Sequence, residues 1–339
     1  MSTIRCLIAD DSSTFRGILR GILAKAPELE VVGEAADGVE ALQRTMTLRP
    51  DVVAMDVEMP RRTGLQALRD IMRVAPTPVV VLSAAGGTQS LAFEALRLGA
   101  IEVLPKPRPK GPVALERQAE DIRAALRTAG GLVLSGRKPL PTPVPRPVEV
   151  PRHAEVLGIA ASTGGPAALA RILSALPSGY PLPILVVQHM AAGFEPGLVA
   201  WLSTDSKAWV KLAEDGEPLE SGTVYVGPEG LHLAVRQGEV RLEDGPARRG
   251  LKPSADHLFA SLAAEYGKGA AGLVLSGMGD DGSEGLAMVR RAGGFTAAQG
   301  PATSVIYGMP RAALESGAAQ SALELDEIPR ALARLAGAA

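Results

Sequence analysis

Residues 137–152 read RKPLPTPVPRPVEVPR, six prolines in sixteen positions. Proline fixes φ and removes a donor, so this stretch suits neither a helix interior nor a central strand. It reads as a semi-rigid, extended linker, and a loop of this length inside one compact domain is uncommon. The chain of 339 residues is therefore read as two domains. The charge balance changes across the stretch. Residues 1–136 hold 17 basic and 16 acidic residues, the linker 4 and 1, and residues 153–339 hold 14 and 20.

On the N-terminal side, strand-like runs alternate with helical ones. The strands are IRCLIAD (4–10), LEVVGEA (29–35), DVVAMD (51–56), PVVVLS (78–83) and IEVLPK (101–106). Helical patterns fall near 14–25, 38–48, 64–74, 88–98 and 113–128. Near-continuous β-branched runs between amphipathic helices predict a parallel sheet covered on both faces. Five such units predict a flavodoxin-like, doubly wound five-stranded domain over 1–128. The linker is then 129–152.

On the other side, residues 153–339 repeat the alternation. AEVLGIA (154–160), LPILVVQ (182–188), AAGLVLSG (270–277) and FTAAQ (295–299) read as strands, with helices from about 165, at 194–203, 254–266 and 282–292. TVYVG, LHLAVR and EVRLED (223–244) are short strands with glycine-containing turns and read as an antiparallel meander. The expectation is a second α/β domain, its sheet mostly parallel, with an antiparallel insertion.

Composition narrows the function classes. The net charge is −2, which offers no global field for nucleic acid or an anionic membrane. Aromatics are 3%, too few for base-stacking platforms. One cysteine, Cys6, excludes an internal disulfide and suits a reducing compartment. No apolar run is long enough to span a bilayer. The opening MSTIRCLIADDSS has neither a long apolar stretch nor a small-residue cleavage site. A cytoplasmic protein without membrane insertion is expected.

In parallel α/β sheets, ligands bind outside the carboxyl ends of the strands. Asp10 and Asp11 end the first strand, Asp56 the third and Ser83 the fourth, and Lys106 follows the fifth. One aspartate at a strand end is ordinarily a turn residue or helix cap. Five polar groups at matching ends form a pocket. Three clustered carboxylates want a hard cation such as Mg²⁺. A lysine and a hydroxyl beside them suit phosphoryl oxygens, and Asp56 suits a nucleophile that forms an acyl phosphate.

A second set occupies the other domain. GIAASTGGP (158–166) puts Ser162 at a strand end, before two glycines and a helix start. VVQHM puts His189 at the next strand end, and LSGMGDDG (275–282) puts Asp280 and Asp281 at a later one. Serine needs a base to become a nucleophile, histidine supplies one near neutrality, and a carboxylate orients the ring. The glycines beside Met278 suit an oxyanion-binding N–H. The order Ser…His…Asp is not that of the α/β-hydrolases. Taken singly, STGG also fits a phosphate loop, and GMGDDG a turn or metal loop. His153, His232 and His257 lack this context and read as surface or packing residues.

IADDS, DVEMP, VLSA and the Lys106-Pro107 pair resemble the receiver domain of two-component response regulators over residues 4–128. That resemblance implies phosphorylation of Asp56 by a chemotaxis sensor histidine kinase, Mg²⁺ on Asp10, Asp11 and Asp56, and phosphate sensing by Ser83 and Lys106. GIAASTGGP, VVQHMAAGF, YVGPEG, KPSADHLFASLA and LSGMGDDGSEGL resemble the catalytic domain of the CheB-type protein-glutamate methylesterases. That resemblance implies Ser162 as nucleophile, His189 as base, Asp281 as orienting carboxylate, and Thr163 and Met278 as support for base and oxyanion. It implies demethylation of methyl-accepting chemotaxis receptors and deamidation of receptor glutamines, both activated by phosphorylation and with no cofactor for hydrolysis. The chain departs from these patterns in four places. Val103 stands where receivers often carry an aromatic switch residue, Thr63 precedes Gly64 in RRTGL where an acid is common, Ala191 follows QHM where the family usually has proline, and Asp280 stands where it often has asparagine. The other readings weighed are a non-catalytic phosphorylation-gated adaptor, against which the complete trio argues, and a transcription regulator, for which no basic helix-turn-helix signature exists.

Overall fold

The computed structural model describes residues 3–84, 89–107, 112–132 and 154–337. The proline-rich stretch and His153 lie outside them. The chain forms two compact units, Met1–Lys138 and Pro139–Ala339.

The first unit runs β1 (Ile4–Ala9), α1 (Ser13–Leu23), β2 (Leu29–Ala35), α2 (Gly38–Leu48), β3 (Val52–Asp56), α3 (Gly64–Val74), β4 (Val79–Ser83), α4 (Gln89–Arg97), β5 (Glu102–Pro105) and α5 (Pro112–Gly130). The strands pair in the order β2-β1-β3-β4-β5, all parallel. Every residue of β3 and β4 is buried, as a sheet covered on both faces requires. Local chemistry starts the helices. Ser12 Oγ accepts the Phe15 N–H, Asp37 accepts those of Val39 and Glu40, and Thr63 and Gln66 form a capping box. The chain steps from β1 outward to β2 and returns to β3 on the other side. That reversal opens a crevice between the carboxyl ends of β1 and β3, where Asp10 and Asp56 stand.

The second unit runs β6 (Val156–Ala161), α6 (Gly165–Ala175), β7 (Ile184–Gln188), α7 (Glu195–Asp205), β8 (Trp209–Leu212), β9 (Thr223–Val226), β10 (His232–Arg236), β11 (Glu239–Glu243), α8 (Ala255–Tyr266), β12 (Ala270–Val274), α9 (Ser283–Arg291), β13 (Phe295–Gln299), α10 (Met309–Glu315), β14 (Ser321–Leu323) and α11 (Ile328–Leu335). Seven strands pair in parallel in the order β14-β13-β12-β6-β7-β9-β8. The direction of winding reverses at β6, whose neighbours are β7 and β12. The core gathers Val156, Leu185, Val187, Phe259, Leu262, Val274, Leu286 and Met309.

The expected three-strand meander is only partly present. LHLAVR and EVRLED form the antiparallel pair β10–β11, from His232↔Glu243 to Arg236↔Glu239. TVYVG instead supplies β9, parallel to β7 and β8 in the large sheet. The reason is burial. All four residues of β9 are buried, so the strand needs a neighbour on each edge. One of those neighbours, β8, escaped the sequence pattern because it is a short edge strand with Trp209 63% exposed.

Helices α8 and α9 pack closely, and the contact turns on Gly285. A Cβ there would lie 2.5 Å from the Asp256 carbonyl oxygen, a backbone atom that cannot step aside. Gly285→Ala is expected to cost about 1–3 kcal/mol, the usual penalty for overpacking. Urea unfolding of the full-length protein measures it, and an unchanged midpoint would show that the two helices have room to spare.

Candidate functional site

The first unit brings its five polar residues to one edge. One oxygen from each of Asp10, Asp11 and Asp56 can be chosen so that all lie within 4.8 Å of one another. Asp10 and Asp56 are buried, while Asp11 is exposed. Lys106 Nζ sits 2.7 Å from Asp10 Oδ2 and 2.7 Å from Asp56 Oδ2, and lies over the Phe15 ring. Ser83 is buried at the end of β4, and its carbonyl accepts the Lys106 N–H at 2.8 Å. Burial pushes the Asp56 carboxyl above its usual range, against the pull of Lys106. Burial disfavours the Lys106 cation, but its bonds to Asp10 and Asp56 prevail and hold its pKa up. The set is hard, anionic and all-oxygen, which fits a divalent cation such as Mg²⁺.

In the second unit, three adjacent strands supply the parts. Ser162 follows the middle strand β6, His189 follows β7 on one flank, and the loop after β12 carries Asp281 on the other. Register brings serine and histidine together. Ala161 pairs with Gln188, and the next residues are Ser162 and His189. The Ser162 N–H donates to Ser276 O at 3.0 Å, which ties β6 to the β12 loop. Gly164 and Gly165 make the following turn possible. Gly164 has φ +79°, and a Cβ on Gly165 would lie 2.3 Å from Gln188 Oε1.

His189 Nε2 lies 2.9 Å from Asp281 Oδ2. Asp281 is buried and accepts three further donors, Ser254 Oγ at 2.8 Å, the Ala255 N–H at 2.7 Å and the Asp256 N–H at 3.2 Å. The two N–H groups begin α8, so the carboxylate also neutralises a helix N-terminus. Burial alone would raise its pKa. The His189 ring 2.9 Å away and the Ala255 and Ser254 donors outweigh burial and hold it at about 2. Among the described residues no hydrogen bond joins Ser162 Oγ to the imidazole. In substrate-free hydrolases such bonds are often long and tighten on binding.

The neighbouring Asp280 does something else. It is exposed and pairs with Arg249, which also binds Glu284. Of the two adjacent aspartates, only Asp281 reaches the histidine. Thr163 is buried, its carbonyl accepting Ser276 Oγ at 2.7 Å, and Met278 is half exposed in the loop before Asp280.

Several supporting residues escaped sequence reasoning. Gln188 Nε2 donates to Ser162 O at 2.9 Å and to His189 O at 2.8 Å, clamping the ends of β6 and β7 together. Ser276 is wholly buried beneath the serine turn. Asp256 returns the favour done by Asp281, accepting the Gly285 N–H at 2.8 Å in the first turn of α9. A polar residue at the buried end of an apolar strand was the signal for Gln188 and Ser276. Asp256 gave none, since an acid in the first helical turn is ordinary.

Residues 157–332 match the family model described as CheB methylesterase, and residues 6–114 match that of the response regulator receiver domain. The protein-glutamate methylesterase/protein-glutamine glutaminase 2 of Anaeromyxobacter dehalogenans is 44% identical over 333 residues, 98% of this chain and 97% of the relative. A like-named protein of Myxococcus xanthus is 44% identical over 336 residues, 96% of this chain and 95% of its own. One from Pyrococcus abyssi is 39% identical over 350 residues, 98% and 93% respectively. The crystal structure of the Thermotoga maritima CheB methylesterase catalytic domain is 36% identical and superposes with a TM-score of 0.52. It covers 54% of this chain and 98% of that one.

The Asp281 carboxyl also sets a pH dependence. Its folded pKa of about 2 lies below the ordinary 3.8. A depressed acid contributes stability above its unfolded pKa and loses it as pH falls through the folded value. Wild type should therefore exceed Asp281→Asn in stability by on the order of 2 kcal/mol above pH ~4, and the gap should close toward pH ~2. Paired urea titrations across that range test this. A gap independent of pH would mean that the carboxylate is not held as described.

Proposed function

We propose, from the premise that the chain belongs to the CheB methylesterase family, that it is a phosphorylation-activated serine hydrolase of chemotaxis receptors. It removes methyl groups from glutamate γ-esters, releasing methanol, and deamidates receptor glutamines. The observation that carries this reading is the His189–Asp281 contact beside the strand end that holds Ser162.

In this reading Ser162 Oγ attacks the ester carbonyl carbon and His189 takes its proton. Nε2 faces Asp281, so Nδ1 is the nitrogen that receives it. Asp281 stabilises the imidazolium that results. Thr163 supports the base, and the Met278 N–H holds the oxyanion. Collapse expels methanol, protonated by His189, or ammonia when the substrate is a glutamine. Water, deprotonated by the same ring, then attacks the acyl-enzyme and frees the glutamate and Ser162.

The receiver occupies residues 1–128, the linker 129–152 and the catalytic domain 153–339. Asp56 accepts a phosphoryl group from a chemotaxis histidine kinase. Asp10, Asp11 and Asp56 would hold Mg²⁺, which when bound offsets phosphate charge. Lys106 and Ser83 then hold phosphoryl oxygens, and Lys106 exchanges its bonds to Asp10 and Asp56 for one to phosphate. Substrates are the methyl-accepting receptors. The enzyme is read as cytoplasmic, a reducing compartment that suits its single cysteine. Among the described residues no helix is long and apolar enough to cross a membrane.

Ser162→Ala and His189→Ala are expected to cut methanol release from methylated receptor by at least ~10³-fold while remaining folded. Turnover near wild type in a folded Ser162→Ala protein would remove serine from the mechanism. Asp56→Ala is expected to abolish both Mg²⁺-dependent labelling by a small phosphodonor and the accompanying rise in activity. Label retained on that variant would place the acceptor elsewhere.

A further inference from the structure

His232 is fully buried at the start of β10, away from the reacting groups, and the sequence assigned it no chemistry. Packing accounts for part of its placement. Its ring stacks on that of His257, with centroids 4.6 Å apart and planes 24° off parallel, and His257 Nε2 lies 2.7 Å from Glu243 Oε2. Packing does not account for its two nitrogens. The Ser254 N–H donates to His232 Nδ1 at 3.2 Å. An imidazole nitrogen that accepts carries no proton, so in this tautomer the proton is on Nε2, which lies 3.1 Å from Pro246 O.

Ser254 is the residue before α8, where a serine normally caps the helix with its own oxygen. Here its side chain makes no capping bond, and Oγ instead donates to Asp281 Oδ1 at 2.8 Å. The next residue, Ala255, donates its N–H to Asp281 Oδ2, the oxygen that also faces His189. The orientation of the Ser254 backbone therefore governs two of the donors that fix the carboxylate.

We infer that His232 is a positioning residue for hydrolysis, acting through Ser254 and Asp281 on the catalytic imidazole. The inference rests on the esterase reading above. Without an acceptor at Nδ1, the Ser254 N–H is left buried and unpaired, the residue turns to find a partner, and the Asp281 carboxylate loses its alignment with His189. His232 is buried and offers no surface for a substrate to touch, so the loss is expected in turnover rather than in binding.

Two variants separate the nitrogens. His232→Gln keeps a donor near the Nε2 position but offers Ser254 nothing at Nδ1. His232→Asn presents an acceptor near Nδ1. With phosphorylated full-length protein and one methylated receptor preparation, His232→Gln is expected to lower kcat about 10-fold at unchanged KM. His232→Asn is expected to recover turnover to within about threefold of wild type. Equal kcat for the two variants, whether both fast or both slow, would overturn the inference. Should His232→Gln not fold, Ser254→Ala is read in its place. It must show the same loss of kcat at unchanged KM, and wild-type turnover there would equally overturn the relay. Ser162→Ala run alongside keeps the two readings apart. If it is inactive while His232→Gln is normal, the relay fails and the esterase stands. If it is active, the esterase reading itself fails.

Discussion

One buried carboxylate holds the catalytic half of the molecule together. Asp281 collects a hydroxyl and two backbone N–H groups at the start of α8, and its second oxygen faces His189. An ionised carboxylate out of water is costly unless its lone pairs are met. Here they are met by donors that the fold must present in any case, the free N–H groups of a helix terminus. The same bonds fix the helix, the loop after β12 and the imidazole. The neighbouring Asp256 repeats the arrangement in reverse, taking an N–H from the first turn of α9. The two helix starts thus exchange carboxylates, and the close approach at Gly285 lets them do so.

Both units apply one topological rule to different chemistry. Each winds a parallel sheet in two directions from a pivotal strand, and each places its polar groups where the winding reverses. At the first reversal the groups are mostly charges. Asp10 and Asp56 are tolerable at such proximity because Lys106 sits 2.7 Å from an oxygen of each. A phosphoryl group and its cation would enter this balance by replacing bonds already made. At the second reversal the polar groups are mostly neutral donors, with one carboxylate. That surrounding suits a charge that must remain fixed while a proton moves nearby.

Much of this was legible in the residues, and the reason is geometric. Strands that run the same way end at the same edge, so Asp10, Asp56 and Ser83 in the first unit, and Ser162 and His189 in the second, could each be grouped from the ends of apolar runs alone. The choice of Asp281 over Asp280 followed from motif resemblance, and the Arg249 contact of Asp280 accounts for it physically. What escaped notice depends on contacts between segments distant in the chain. Gln188 looks like any strand-end amide until its two bonds to Ser162 and His189 are seen. TVYVG looked like a hairpin strand because β10 and β11 follow it closely. Only its complete burial assigns it to the large sheet. His232 looked like packing because nothing in LHLAVR points forward to Ser254.

The central claim is that Asp281 holds His189 by Nε2 and leaves Nδ1 to serve Ser162. ¹⁵N NMR of the His189 ring in the full-length protein at alkaline pH measures this directly. The account predicts a protonated Nε2 coupled to the Asp281 carboxylate and an unprotonated, acceptor-type Nδ1. A ring with its proton on Nδ1 and a bare Nε2 would contradict it.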